Sequence, residues 1–267
     1  MSEVKMHPPG AFSWFELGTT DDAGAKTFYA DLFGWQPNDV AMDEQFSYTL
    51  LRIEDQDVAG LYGLMPEQRA QQVPPHWLSY VAVASVDEAV ARAEALGGSV
   101  VTGPHDVFEL GRMAVLQDPT GGVFALWEAR QHIGAGRVNE AGTFCWAELG
   151  THDPDAAEAF YTGLFGWGTS KQPMGEMGTY TSFLNGGQHT GGLFRLPPEA
   201  GATPPQWYVY FAVDDCDATV DSARALGATV AIPPSDVPGV GRFACMQDPQ
   251  GAFFSVIRMN GPADGQG

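Results

Sequence analysis

Apolar positions along the chain switch between two periods. From Phe12 to Thr19 they alternate with small or polar residues, the pattern of a strand with two different faces. Asp21 then suits a helix N-cap. Ala25, Phe28, Tyr29, Leu32 and Phe33 recur at i, i+3, i+4, i+7 and i+8, one face of a helix, and Gly34 suits its stop. Short strands are expected around Gln36–Ala41, 46–53 and 58–64. The pattern then restarts: a strand over 77–84, a capping box at Ser85 and Glu88, and a helical face of Val86, Val90, Ala93 and Leu96 closed by Gly97. Strands near Val100, over 112–117 and over 123–127 complete it. The last two are joined by Asp118-Pro119-Thr120-Gly121, a type I turn sequence. The unit is βαβββ, written twice.

That double unit is itself repeated. Phe12 to Trp35 and Phe144 to Trp167 match at 14 of 24 positions with an offset of 132. GRMAVLQDPTGGVF (111–124) and GRFACMQDPQGAFF (241–254) match with an offset of 130. Six of the seven tryptophans fall into three pairs: Trp14/Trp146, Trp35/Trp167 and Trp77/Trp207. A fixed period of this kind is the signature of duplication. The expected organisation is a first domain over 10–128, a linker over 129–142, a second domain over 143–259 and a flexible tail over 260–267. The fold class is α+β, with tandem duplicated domains.

The motif FYxxLFGW at the first helix end, the closing DPxG turn and the βαβββ–βαβββ order resemble the vicinal-oxygen-chelate superfamily of glyoxalases, bleomycin-resistance proteins and dioxygenases. The tandem copies, the linker around His132 to Ala135 and the stretch from Arg242 to Ala252 resemble its two-domain actinobacterial branch. The resemblance implies paired modules curled into a half-open barrel cup. It also implies, in metal-using members, a His, Gln or Glu ligand on the first strand of each module and a Glu on the last. Aligned on the helix start and on DPxG, those positions hold Trp14, Leu78 and Ala125 in the first copy and Trp146, Tyr208 and Ser255 in the second. Indole, methyl and phenyl groups are not ligands for hard or borderline cations. No metal and no cofactor are therefore expected.

Strand alternation places Glu16 on the same face as Trp14, and Glu148 with Trp146. A carboxylate on an aromatic wall has a raised pKa and suits general acid or base work, so Glu16 and Glu148 are the candidate catalytic residues. A structural pairing that fixes the sheet is the other reading. The same alternation sends Tyr80, Trp127, Tyr208 and Tyr210 into the cups as candidate ligand-binding residues beside Trp14 and Trp146. Arg112 and Arg242, each next to a glycine at a strand start, are candidates for an anionic ligand or for the two glutamates. A structural ion pair is their alternative. The six histidines have no partner at the repeat offset and read as surface or loop residues. His76 and His189 sit at strand edges that could reach a cup.

The formal net charge of −20 repels a phosphate backbone, and no run is long and apolar enough to span a bilayer. Nucleic acid and membranes are excluded as expected partners. Three cysteines without C-x-x-C spacing argue for reduced thiols in the cytoplasm. The expected protein is a glyoxalase-like, metal-independent binder of an aromatic or apolar metabolite, with carboxylate-assisted proton transfer as its chemistry. It is expected to be a monomer that imitates a dimer of single-domain relatives. Two alternatives stand beside this: a metal-dependent lyase or dioxygenase with non-standard ligands, and a non-catalytic interaction or stress protein whose cups are filled.

Overall fold

The computed structural model describes residues 3–42, 47–175 and 178–260. In the first repeat, β1 (Phe12–Thr19) leads through α1 (Asp22–Phe33) to β2 (Gln36–Ala41), β3 (Ser47–Ile53) and β4 (Gln56–Gly63). After a five-residue helix, α2 (Pro66–Ala70), the second module follows as β5 (His76–Ala82), α3 (Val86–Ala95), β6 (Ser99–Val107), β7 (Gly111–Gln117) and β8 (Val123–Ala129). The second repeat runs β9 (Phe144–Thr151), α4 (Pro154–Phe165), β10 (Gly168–Pro173), β11 (Thr179–Asn185), β12 (Gln188–Arg195), β13 (Gln206–Ala212), α5 (Cys216–Ala225), β14 (Thr229–Val237), β15 (Gly241–Gln247) and β16 (Phe253–Met259). The βαβββ reading holds in all four modules. The periodicity gave no sign of α2, which is shorter than two turns and buries no residue. Phe46, expected in the third strand, lies outside the described residues.

Each repeat forms one mixed eight-stranded sheet, ordered β2-β3-β4-β1-β5-β8-β7-β6 and, in the same sense, β10-β11-β12-β9-β13-β16-β15-β14. The two modules of a repeat pair with each other through antiparallel β1 and β5, and through β9 and β13. The sheets are not closed into barrels. Their back faces carry Phe15, Leu17, Phe124, Leu126 and their counterparts into one shared core, where Phe15 and Phe144 stack with ring centroids 3.5 Å apart.

Helix α1 begins where the Asp21 carboxylate accepts the Gly24 amide at 3.0 Å, and it ends at Gly34, whose φ of 73° lies in the left-handed region. Its apolar stripe contacts both sheets. Tyr29 meets Trp77 of its own half and Phe254 of the other. Its hydroxyl accepts from Trp77 Nε1 at 3.0 Å and donates to Asp248 Oδ2 at 3.0 Å. Tyr161 of α4 returns the contact, donating to Asp118 Oδ2 at 2.8 Å while accepting from Trp207 at 2.9 Å. Asp118 and Asp248 head the two DPxG turns, each confirmed by a backbone hydrogen bond from the glycine to the aspartate carbonyl at 3.0 Å. The two recurring sequence motifs thus meet each other across the halves. The first helices are wedged between the sheets rather than packed on the outside of their own.

Candidate functional site

Register decides what faces the concave side. Trp14 pairs with Tyr80, Tyr80 with Ala125, and Ala125 with Val115, so these four share one rung across the sheet. The equivalent rung in the second repeat is Trp146, Tyr210, Ser255 and Cys245. Glu16 lies opposite Leu78, and Glu148 opposite Tyr208, one rung further on.

Both glutamates are partly buried on the cup face and held by tyrosines. Glu16 accepts from Tyr48 at 2.7 Å and from Tyr80 at 3.0 Å. Trp14 Nε1 donates to the Tyr48 hydroxyl at 2.9 Å. In the second cup Tyr180 donates to Glu148 at 2.9 Å, Tyr210 donates to its other oxygen, and Trp146 donates to Tyr180 at 2.9 Å. Burial raises the pKa of both glutamates, and the tyrosine hydroxyls offset this only in part. The tyrosines are pushed up in turn by burial and by the adjacent carboxyl. This is an indole–tyrosine–carboxyl–tyrosine chain built twice. It raises the proton affinity of a carboxyl on an apolar wall, which suits the group to give or take a proton.

Two of its members are not evident from alternation along one strand. Tyr48 and Tyr180 stand on β3 and β11, away from the central pair. Gly60 and Gly192 lie beneath them: a Cβ at either would overlap the tyrosine hydroxyl. Both pairs recur at the offset of 132, which is the signal that finds them.

The cups differ in what surrounds this chain. In the first, the segment after β8 folds back over the opening. Trp127 Nε1 donates to the His132 carbonyl at 2.8 Å, and the His132 ring sits edge-on to Trp14 with centroids 4.7 Å apart. The imidazole lies 3.5 Å from Asp57, which Arg52 holds at 2.5 Å. The Ala135 and Gly136 amides then bond to the carbonyls of Ser13 and Asp57 at 2.7 and 2.8 Å, and His7 bonds to the Ala135 carbonyl at 2.8 Å. Ala135 is fully buried, and Trp14 is 5% exposed. His132 lies in a loop, as expected, and is partly buried there as a plug because aromatic rings and a carboxylate surround it. In the second cup Ile257 replaces Trp127, His189 replaces Asp57 and Cys145 replaces Ser13. Among the described residues the Trp127 and Asp57 side chains have no counterpart there, and Trp146 and Tyr208 are partly exposed where Trp14 and Leu78 are buried, while Glu148 and Phe243 are partly exposed like Glu16 and Met113.

The floors differ as well. Ala125 and Val115 give the first rung only methyl groups, whereas Ser255 and Cys245 give the second a hydroxyl and a thiol. The Ser255 Oγ is buried beside the Cys245 thiol, with no hydrogen bond of ordinary geometry. Burial pushes that thiol up to about 11, so it stays protonated and inert at neutral pH. Tyr208 packs against Phe194 and Phe253.

Arg112 and Arg242 do not reach the glutamates. Arg112 grips Asp87 through both Nε and Nη2 at 2.9 Å and also pairs with Asp106 at 3.0 Å. Arg242 grips Asp217 and Asp236 in the same way. The expected pairing with Glu16 or Glu148 gives way to these partners, on the first turn of the preceding helix and on the neighbouring strand. His76 bonds to the Pro74 carbonyl, and His189 is exposed on an outer turn of its strand. A divalent metal does not fit this donor set. Among the described residues no group of three His, Cys, Asp or Glu side chains converges, and each cup offers one carboxyl already engaged by two hydroxyls.

Comparison with known proteins covers nearly the whole chain. The sequence model of the Glyoxalase/Bleomycin resistance protein/Dioxygenase superfamily matches residues 11–126 and again 143–256. The chain is 41% identical over 250 residues to the protein named "Putative glyoxylase CFP32" from Mycobacterium tuberculosis (strain CDC 1551 / Oshkosh), covering 93% of this chain and 95% of that one. It is 36% identical over 263 residues to the anthracycline biosynthesis protein DnrV of Streptomyces peucetius, covering 94% of each. Among solved structures, the 2,3-dioxygenase LapB from Pseudomonas sp. KL28 superposes with a TM-score of 0.65 at 12% identity, over 98% of this chain and 96% of that one. The Mn(II)-bound glyoxalase from Novosphingobium aromaticivorans gives 0.63 at 18% identity, over 94% and 82%. These two likenesses concern the fold.

Proposed function

The chain belongs to the Glyoxalase/Bleomycin resistance protein/Dioxygenase superfamily, and we propose that it works on a small aromatic or apolar metabolite without a bound metal, in its second cup. Glu148 is the proton-transfer group, Tyr180 and Tyr210 set its protonation, and Trp146 and Tyr208 form the wall against which a flat ligand lies. The first cup keeps the same chain of residues as a structural element under its plug. The observation that carries this reading is a carboxyl raised by burial, bonded only to neutral hydroxyls, on a wall left partly exposed. A relative named for anthracycline biosynthesis accords with an aromatic ligand.

Among the described residues no cation pairs with Glu148, which favours a neutral ligand over an anion. No described helix is long and apolar enough to cross a membrane. We further propose a monomer acting in the cytoplasm: each half already completes the other through Tyr29 and Tyr161, and all three cysteines are free and buried.

The test uses 1-hydroxyanthraquinone as a flat, hydroxyl-bearing probe, followed by quenching of tryptophan fluorescence. Wild type and Glu16→Gln should bind it alike. Glu148→Gln should bind at least tenfold more weakly with little change in melting temperature. Equal binding by the Glu148→Gln protein, or about one equivalent of Zn, Mn, Fe or Ni per chain after purification without chelator, would overturn the proposal.

A further inference from the structure

A recess of about 370 Å³ lies outside both cups, where the end of α1 meets α5. Leu32 and Phe33 form its apolar side. Asp214 and Asp215 also line it, with Thr219 and Ser222 along α5. Its volume is within the range of small-molecule pockets. The duplication supplies a second version of the same place, where α4 meets α3. Two hydrogen bonds establish the correspondence: Trp35 donates to the Gly142 carbonyl at 2.7 Å beside the recess, and Trp167 donates to the Gly10 carbonyl at 2.9 Å on the other side.

In that second version the position of Ser222 is held by Arg92. Its guanidinium reaches across to the carbonyl of Leu164, at the C-terminal end of α4, at 3.4 Å. Leu164 is the counterpart of Leu32. Ser222 extends no such arm: its hydroxyl turns back to Ala218 on its own helix at 2.9 Å. Ala84 and Ser85 of the filled version become Asp214 and Asp215, which adds two negative charges where the positive one has been lost. Neither aspartate is in an ion pair among the described residues, while Asp215 also caps α5 through the Ala218 amide at 3.0 Å. The C-terminal end of a helix carries partial negative charge, so α1 adds to the same field.

We propose that this recess binds a small alkylguanidinium compound, its stem along Leu32 and Phe33 and its planar head toward the α1 carbonyls and Asp214. The ligand then takes the place that Arg92 occupies in the other half. A guanidinium suits the site better than an ammonium, because a planar fork can serve a carbonyl and a carboxylate at once.

The probe is n-butylguanidinium, with the uncharged isostere n-butylurea as control, followed by amide chemical shifts on the full chain. Butylguanidinium should give saturable shifts at Thr219 and Ser222, weakening with added salt, and butylurea should give none. Ser222→Arg fills the recess with the chain's own guanidinium and should weaken binding at least tenfold. Asp214→Asn, which keeps the shape, should weaken it at least threefold. The proposal falls if butylguanidinium gives no saturable shift, if butylurea does as well, or if Ser222→Arg binds like wild type. Should Ser222→Arg melt early, Asp214→Asn decides: unchanged binding in that variant overturns the assignment.

Discussion

The two cups contain the same indole, tyrosines and carboxyl, yet the indole of the first is buried under a plug and that of the second is partly exposed. The conserved part of the comparison is the hydrogen-bonded chain, and the variable part is what lies above and below it. In the first cup the segment between the halves runs over Trp14 and Trp127, and the floor is aliphatic. In the second the floor gains Ser255 and Cys245, and Ile257 leaves nothing like Trp127 to anchor a cover. Duplication supplied two copies of one device, and the copies differ in how far they leave the indole and its neighbour exposed.

The largest difference is expected from truncating the indoles. Trp14→Ala removes a buried ring packed under the plug and should lower stability by about 3–5 kcal/mol, as for fully buried tryptophans. Trp146→Ala removes a partly exposed ring and should lower it by about 2 kcal/mol. Urea unfolding of the two variants checks this, and equal losses would mean that the second cup is as closed as the first.

A smaller effect concerns pH. Each glutamate has a folded pKa above its unfolded value, so the folded chain holds the proton more tightly over the interval between the two. The contribution to stability is present below the ordinary glutamate pKa and is lost as pH rises through the raised one. Glu16→Gln and Glu148→Gln should each flatten the decline in unfolding free energy measured from pH 4 toward neutrality. A steeper decline in either variant would reverse the sign assigned to its burial.

The smallest effect is expected at the plug. His132→Ala removes an edge-on ring contact and the imidazole facing Asp57, and should lower stability by about 1 kcal/mol. Acrylamide quenching should rise in that variant as Trp14 becomes accessible, while a Trp14→Phe, His132→Ala double variant should quench like Trp14→Phe alone. If His132→Ala leaves quenching unchanged, the plug is held by its backbone bonds to Ser13 and Asp57.

Much of this architecture was legible in the sequence because the deciding interactions are local or repeated. Alternation in β1 put Trp14 and Glu16 on one face, the helical stripe placed Tyr29 in the core, and the DPxG turns closed as their residues require. Tyr48 and Gly60 were missed because their meeting with Glu16 depends on the order of β3, β4 and β1, which periodicity within a strand does not report. The repeat offset would have found them. Arg112 was drawn toward the cup by its place at a strand start. Yet Asp87, Asp106 and Arg112 recur together as Asp217, Asp236 and Arg242 at an offset of 130, and a triad that travels as a unit is its own explanation. The role of His132 was hidden because it has no copy: a feature unique to one half leaves no internal echo.

The crossed tyrosine–aspartate contacts bear on the order in which the chain can fold as it is made. Tyr29 emerges early, but Asp248, its partner, lies 219 positions later. The back of the first sheet gains Phe144, Phe160 and Tyr161 once β9 and α4 are made, but until nearly the last strand has been synthesised Tyr29 of α1 lacks its Asp248 and Phe254 partners. The first half therefore leaves the ribosome as an incomplete body with an exposed aromatic surface, and contacts of such long sequence separation form late and slowly. A chaperone that shields aromatic surface would lose most of its foothold as β9 and α4 dock and the last of it, around Tyr29, when the final turn closes.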